Sequence, residues 1–257
     1  MLNFAGLKLA KQKYSQFEYL LSVPRYKETI ISLFDHEFTI ADSHSFYYSH
    51  REIFLDEIYK FLTNNKQPII IDCGANYGTS IVYFKRLYPD ARIVGVEADP
   101  YIYKILEKNI RLRSFKDIIL INKAVYDSKC SVEFHSEGAD GGRVYHMDNP
   151  ANKYEITTIM LDDIVDCKID FMKLDIEGAE ANVLLTFKKI REVKMMFIEY
   201  HSFSDSKQKL SSILDILTNN NFRYYIQSVF SPYRPFIKVN DRNGMDLQLN
   251  IFAFQNS

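Results

Sequence analysis

From Pro68 onward the apolar positions alternate between short continuous runs and longer amphipathic stretches. "PIIIDCG" reads as a buried strand, Thr79 to Tyr88 as a helix, "ARIVGVEAD" as a strand, Tyr101 to Arg113 as a helix and "IILINKAV" as a strand. The order resumes with the strand "FMKLD" (Phe171 to Asp175), a helix from about Ala179 to Ile190, the strand "KMMFIEY" and a helix from about Lys207 to Asn220. Short apolar strands separated by such helices predict a doubly wound α/β fold, a mostly parallel sheet covered on both faces. The last two strands, "FRYYIQSVF" and "LQLNIFAFQ", have no helix between them and are expected to pair antiparallel.

Two regions depart from that alternation. Ahead of it, the pattern predicts an N-terminal amphipathic helix carrying Leu2, Leu9, Phe17 and Leu21, a short strand at "HEFTIAD" and a helix through "SFYYSHREIFLDEIYKFL". The helix would dock on the domain or on a second copy of the chain, so a homo-oligomer is compatible with it. Between Cys130 and Leu161, strand-like "CSVEFHS" and "YEITTIML" flank a polar, Gly-rich link that reads as a lid or binding loop. The chain therefore divides into an extension at 1–65, an acceptor cover or dimer contact, and a main domain at 66–257 with a hairpin insertion at about 130–161.

Composition narrows the classes. A formal net charge of −1 with dispersed Lys and Arg leaves no basic stripe for a nucleic-acid backbone. Cys73, Cys130 and Cys167 are widely spaced, which fits packing residues in a reducing compartment and neither a disulfide frame nor a zinc site. No window reaches transmembrane length and lysines interrupt the N-terminal apolar residues, so the expected location is cytoplasmic.

The candidate chemistry starts at "IDCGANYG", a glycine loop at the carboxyl end of a buried strand, where open parallel sheets place their ligands. Gly74 and Gly78 allow a ligand to lie on the main chain. Glu97, ending the next strand, can accept hydrogen bonds from the hydroxyls of a ribose. Asn76 and Thr79 stand where a dinucleotide fingerprint needs glycines, and no phosphate-binding P-loop pattern occurs. S-adenosylmethionine, a ribose without a phosphate, fits those residues.

The chain here resembles the FkbM-type methyltransferases of the class I, Rossmann-like fold, over roughly Ile69 to His201. "IDCGANYGTS", "VEADP", "NKAVYDSKCSVEF", "TTIMLDDIV", "DFMKLDIEGAEANVL" and "MFIEYH" follow one another as the blocks of that family do. The resemblance implies a seven-strand sheet with a reversed last strand. It also implies that Asp72, Gly74, Asn76 and Gly78 line the methionine half of the cofactor, that Glu97 holds the ribose, that Ala124 lies by adenine and that Asp175 flanks the reacting centre. Similar enzymes mostly methylate hydroxyls of sugars, polysaccharide precursors or natural products, so a small-molecule or glycan acceptor is expected. Residues 1–60 and 222–257 match no motif of the family.

Asp175, Glu177, Glu199 and His201 converge by topology on the rim that carries Gly74. His201 is the first candidate for the base that takes a hydroxyl proton, with Glu199 as its orienter and Asp175 near the methionine end. Glu177 and Glu180 also suit the start of the following helix. Acids at these strand ends could hold a divalent cation, but the fifth strand lacks the adjacent Asp-Asn pair usual for that role, and no metal is expected. Arg143 and the link from Glu137 to Lys153 are candidates to contact and cover the acceptor. Asp162 and Asp163 read as a cap, and His44, His50, His135 and His146 as isolated histidines. The rivals are a non-catalytic nucleoside-binding module on the same fold and, opposed by Asn76 and Thr79, a nicotinamide-dependent oxidoreductase.

Overall fold

The computed structural model describes residues 16–139, 141–144, 152–237 and 244–255. Most of the expected N-terminal helix lies outside these residues, as does His146. In chain order come β1 (Thr29–Leu33), β2 (His36–Ile40), α1 (Ser43–His50), β3 (Ile69–Cys73), α2 (Thr79–Leu87), β4 (Arg92–Glu97), α3 (Pro100–Arg111), β5 (Ile118–Asn122) and β6 (Ala124–Val125). They are followed by β7 (Ser131–Ser136), β8 (Asn152–Ile159), β9 (Phe171–Leu174), α4 (Glu180–Thr186), β10 (Met195–Phe203), α5 (Leu210–Asn219), β11 (Phe222–Phe230) and β12 (Met245–Gln255).

The central sheet is seven-stranded in the order β11-β12-β10-β9-β3-β4-β5. Its strands β10, β9, β3, β4 and β5 pair parallel, and β12 runs antiparallel to both neighbours, as the missing crossover helix predicts. Consecutive Ile70 and Ile71 of β3 point to opposite faces, each fully buried. Ile70 packs with Ile81 and Phe84 of α2 and with Leu106 of α3, whereas Ile71 packs with Val183 of α4 and Ile213 and Leu217 of α5. Burying each such side chain stabilises the fold by about 1.5–3 kcal/mol. Strand order reverses between β3 and β9, so the carboxyl ends of these two strands open a crevice.

Four elements differ from their expected form. "IILINKAV" breaks at Lys123, and Ala124–Val125 leaves the central sheet to pair with β8. The helix expected through Leu62 ends after a π turn at Arg51–Leu55. Beyond it Tyr59 and Phe61 are buried while Lys60 and Leu62 are exposed, a period of two that no helix can satisfy. The helix expected to Ile190 stops at Thr186, and a separate 3-10 turn forms at Ile190–Glu192. Of the three cysteines, Cys73 is buried and Cys130 is exposed, so Cys130 is not a packing residue. Among the described residues no helix is long and apolar enough to cross a membrane.

The extension does not stand apart. Phe17, Leu20, Leu33 and Phe38 share a buried cluster with Tyr77, Val82, Ile102 and Ile105 of the main domain. Asn109 of α3, fully buried, fastens it: its Oδ1 accepts from Thr39 N, and its Nδ2 donates to Thr39 O and to Tyr77 O, all at 2.8 Å. Asn109→Ala strips three buried backbone groups of their partner, each worth about 1–3 kcal/mol. We expect a loss of about 3 kcal/mol or more in urea unfolding; a loss below about 1 kcal/mol would show that the apolar contacts alone hold the extension.

Candidate active site

The glycine loop turns sharply at the end of β3 because Gly74, Asn76 and Gly78 all adopt positive φ (82°, 47° and 96°). A Cβ on Gly74 would come within 1.9 Å of the Asp175 carbonyl oxygen, so only glycine lets this loop lie against the end of β9. Gly74 N and Ala75 N both donate to Val96 O at 2.9 Å, which ties the loop to β4. Tyr77, next along the loop, is held by Asn109.

Under this loop lies Lys173 of β9, almost wholly buried. Its ammonium donates to Gly74 O at 2.8 Å and pairs with Asp175 Oδ2 at 3.0 Å and, less closely, with Asp72 Oδ1 at 3.7 Å. Burial alone would push the amine down, yet Asp175, the Tyr59 phenol and Asp72 together hold it well above the usual lysine value. Burial lifts the Asp72 carboxyl above its ordinary range against the pull of Lys173 and of the Ser80 hydroxyl that donates to it. The shorter distance and the direction of both shifts make Asp175 the principal partner of the charge. Lys173 is not among the residues expected at the site from the sequence. Its signal was a lysine inside a strand whose every residue is buried, where an ammonium must find carboxylates.

Glu97 ends β4. Its Oε2 accepts from Asn76 N at 2.8 Å and its Oε1 from Asp99 N at 2.9 Å. Burial pushes its carboxyl up to about 7, although both amides favour the charged form. Each oxygen keeps a further acceptor site for a ligand hydroxyl. Beyond Glu97, Ala124 lies in an apolar patch with Phe134 and Ile156.

The carboxyl ends of β9 and β10 meet around His201, whose side chain is 2% exposed. His201 Nδ1 lies 3.1 Å from Glu180 Oε1, which also accepts from Ile176 N and Gly178 N at 3.2 and 3.0 Å. His201 Nε2 faces Glu177 Oε2 at 3.6 Å and Glu199 Oε1 at 3.8 Å. The carboxylate that orients the ring is thus Glu180 rather than the expected Glu199, and Glu180 was visible in the sequence only as a helix-start acid. Glu177 reaches the ring from a left-handed backbone, φ 56°. Burial opposes a charge on His201, but Glu177, Glu180 and Glu199 outweigh it and set the imidazole well above its ordinary value. Burial and Asp175 raise Glu199 to about 8, opposed by His201 and Lys173. Gln248 of β12 donates to Glu199 and lies 3.4 Å from His201 Nε2.

One cavity of about 830 Å³ joins these groups. Gly74, Asn76, Glu97, Ala124 and Asp175 line it, and Glu177, Glu199 and His201 line its far end. Asp72 and Gly78 do not: Asp72 is sealed below the floor, and Gly78 packs toward Leu106 of α3. Arg25, Tyr26 and Tyr48 of the extension and Arg143, stacked 4.1 Å over Phe203, complete the wall. Elsewhere Asp162 accepts from Lys188 N and Lys189 N, closing a turn, and His50 is buried among Phe17, Phe46 and Phe54, which pushes it down to about 4.

Residues 72–224 match the family described as Methyltransferase FkbM domain. The chain is 40% identical over 63 residues to Methyltransferase sdnD of Sordaria araneosa, a stretch that covers 24% of each chain. It is 23% identical over 160 residues to Methyltransferase 1 of Beauveria bassiana, covering 52% of this chain and 64% of that one. It is 25% identical over 186 residues to the 2-O-methyltransferase NoeI of Sinorhizobium fredii, covering 61% of this chain and 73% of that one. The chain thus spans about a quarter and under two thirds of the first two of these relatives. Among solved structures, the FkbM methyltransferase of Methylobacillus flagellatus KT is 18% identical with a TM-score of 0.49, covering 74% of this chain and 45% of that one.

The Lys173 ammonium is the group whose loss this geometry predicts to be most damaging. Lys173→Met leaves Asp72 and Asp175 without their buried counter-charge, which typically costs about 3–5 kcal/mol. We expect a fall of that size in urea unfolding, partly recovered in Lys173→Met/Asp72→Asn. A Lys173→Met curve that overlays the parent would show that the ammonium does not hold the strand ends together.

Proposed function

The chain belongs to the FkbM methyltransferase domain family, and from that premise we propose that it is an S-adenosylmethionine-dependent O-methyltransferase acting on a hydroxyl of a sugar, polysaccharide precursor or natural product. The observation that carries this reading is the single cavity that runs from the Gly74 loop and Glu97 to the acids around His201. The residues fit the cofactor. Both Glu97 oxygens are aimed by backbone amides and retain acceptor sites suited to two ribose hydroxyls, and the apolar patch at Ala124 suits an adenine ring. The name of the 2-O-methyltransferase NoeI supports a hydroxyl oxygen as the methylated atom.

Bound there, S-adenosylmethionine supplies a methyl group already activated on a sulfonium. The chain's part is to hold the acceptor hydroxyl at the Asp175 end, exclude water and receive the hydroxyl proton. Asp175, Glu199 and His201 are the proposed groups at that end. Arg25, Tyr26, Tyr48 and Arg143 would contact the acceptor, and the link between Glu137 and Lys153 would cover it.

Glu97 tests the cofactor assignment. Glu97→Ala should weaken calorimetric binding of S-adenosylhomocysteine roughly tenfold to hundredfold, the worth of one or two hydrogen bonds to a charged acceptor. No heat with that ligand, together with clear binding of a nicotinamide dinucleotide, would overturn it. A pH dependence follows from the same residue. Its carboxyl titrates at about 7, where burial and Asp99 raise it and Lys173 lowers it, and only the ionised form accepts two hydroxyls. Affinity for methylthioadenosine, which carries no group titrating in this range, should therefore fall by up to about tenfold from about pH 8 to about pH 6. The dependence should vanish in Glu97→Gln; a parent with flat affinity would remove the carboxylate from ribose binding.

A further inference from the structure

We propose that Asp175, Glu177 and His201 bind a divalent first-row metal ion at the acceptor end of the cavity, with Glu180 as the positioning residue for the imidazole. One donor atom from each of the three lies within 4.8 Å of the others. In a shell with bonds of about 2.1 Å, neighbouring donors stand roughly 3–4.2 Å apart, so the three need to close only slightly. The separation of His201 Nε2 from Glu177, 3.6 Å, is too long for a hydrogen bond and suits two ligands facing a common point.

The other side of the ring supplies an independent reason. A metal-binding histidine characteristically donates its second ring N–H to a carboxylate that fixes its tautomer. His201 Nδ1 meets Glu180, which is fully buried and held by two backbone amides of the turn that also carries Glu177. That pairing leaves Nε2 facing the acids. Chemistry points the same way: Glu177, Glu180 and Glu199 gather around the buried imidazole, and Asp175 is held beside them by Lys173. Two carboxylates and an imidazole make a donor set suited to Mn2+-like ions, and all three side chains line the cavity, so an ion can reach them.

No metal was expected because the fifth strand lacks an Asp-Asn pair, but His201 of the same strand offers an imidazole donor instead. The use of the ion, though not its binding, rests on the methyl-transfer reading: a hydroxyl oxygen on a divalent cation gives up its proton more readily.

The test uses the full chain freed of metal by a chelator and titrated with Mn2+, followed by the loss of the free-ion signal in electron paramagnetic resonance. We expect one Mn2+ per chain, with a spin-echo modulation from a single imidazole nitrogen. His201→Asn should abolish that modulation, and Glu177→Gln and Glu180→Gln should each weaken binding roughly tenfold to hundredfold. Circular dichroism spectra and urea unfolding curves like the parent's would show that the variants are folded. No bound Mn2+, bound Mn2+ without an imidazole nitrogen, or equal affinity in all variants would overturn the site. If S-adenosylhomocysteine binds and Mn2+ does not, the metal site falls and the methyl-transfer reading stands; the reverse result sinks that reading and keeps the metal site.

Discussion

The Lys173 ammonium sits where two parallel strand ends and the glycine loop meet, and it satisfies all three at once. Its donation to Gly74 O fixes the turn after β3, and its pairing with Asp175 fixes the residue that follows β9. Because Gly74 has no Cβ, the loop can press against the Asp175 carbonyl, which brings the ammonium within reach of both. A neutral side chain at this position would leave two acids beneath the loop repelling each other in a low-dielectric interior. The floor of the cavity is therefore an electrostatic construction, and the packed sheet on either side keeps water from screening it.

From that floor the cavity separates two kinds of chemistry. At the Glu97 end a single carboxylate is held by two backbone amides, an arrangement that presents acceptors to hydroxyls at fixed positions. At the His201 end Glu177, Glu180 and Glu199 gather around one buried imidazole, and burial makes their charge costly to leave uncompensated. Asp175 belongs to both ends: it is tied to Lys173 beneath the loop and stands within ligand distance of Glu177 and His201. A group so placed couples the grip on the cofactor, as proposed, to the handling of the acceptor.

How much of this the sequence discloses depends on whether a residue's role is local. The alternation of strands and helices, the antiparallel end of the sheet and the Gly74 loop are set by neighbours along the chain, and they were legible. Lys173 was not, because "FMKLD" reads as a strand with one polar interruption until the sheet shows that every face is covered. Glu180 was seen as a helix-start acid, since only the packing of α4 under β10 brings it to His201. Asp72 was expected, from the family resemblance, to line the methionine half of the cofactor, yet it points into the floor, where Ser80 and Lys173 hold it. The end of the helix after Leu55 was missed because Tyr59 and Phe61 are buried by long-range packing with Ile70, Phe171 and Phe197, which overrides the local helical spacing.

The regions that match no family motif also wall the cavity. The extension contributes Arg25, Tyr26 and Tyr48, and the last two strands contribute Val229, Met245 and Gln248. These walls are not free attachments. Asn109 joins Thr39 of the extension to Tyr77 of the glycine loop through one amide, so the wall proposed for the acceptor and the loop proposed for the cofactor share a fastening. Gln248 likewise joins the last strand to Glu199. Substituting the exposed faces of these walls would alter which acceptor is held while leaving the buried fastenings intact. Such a division would let the proposed acceptor change while the floor and loop keep one geometry, because the residues that contact solvent and the residues that carry the alignment are different side chains of the same elements.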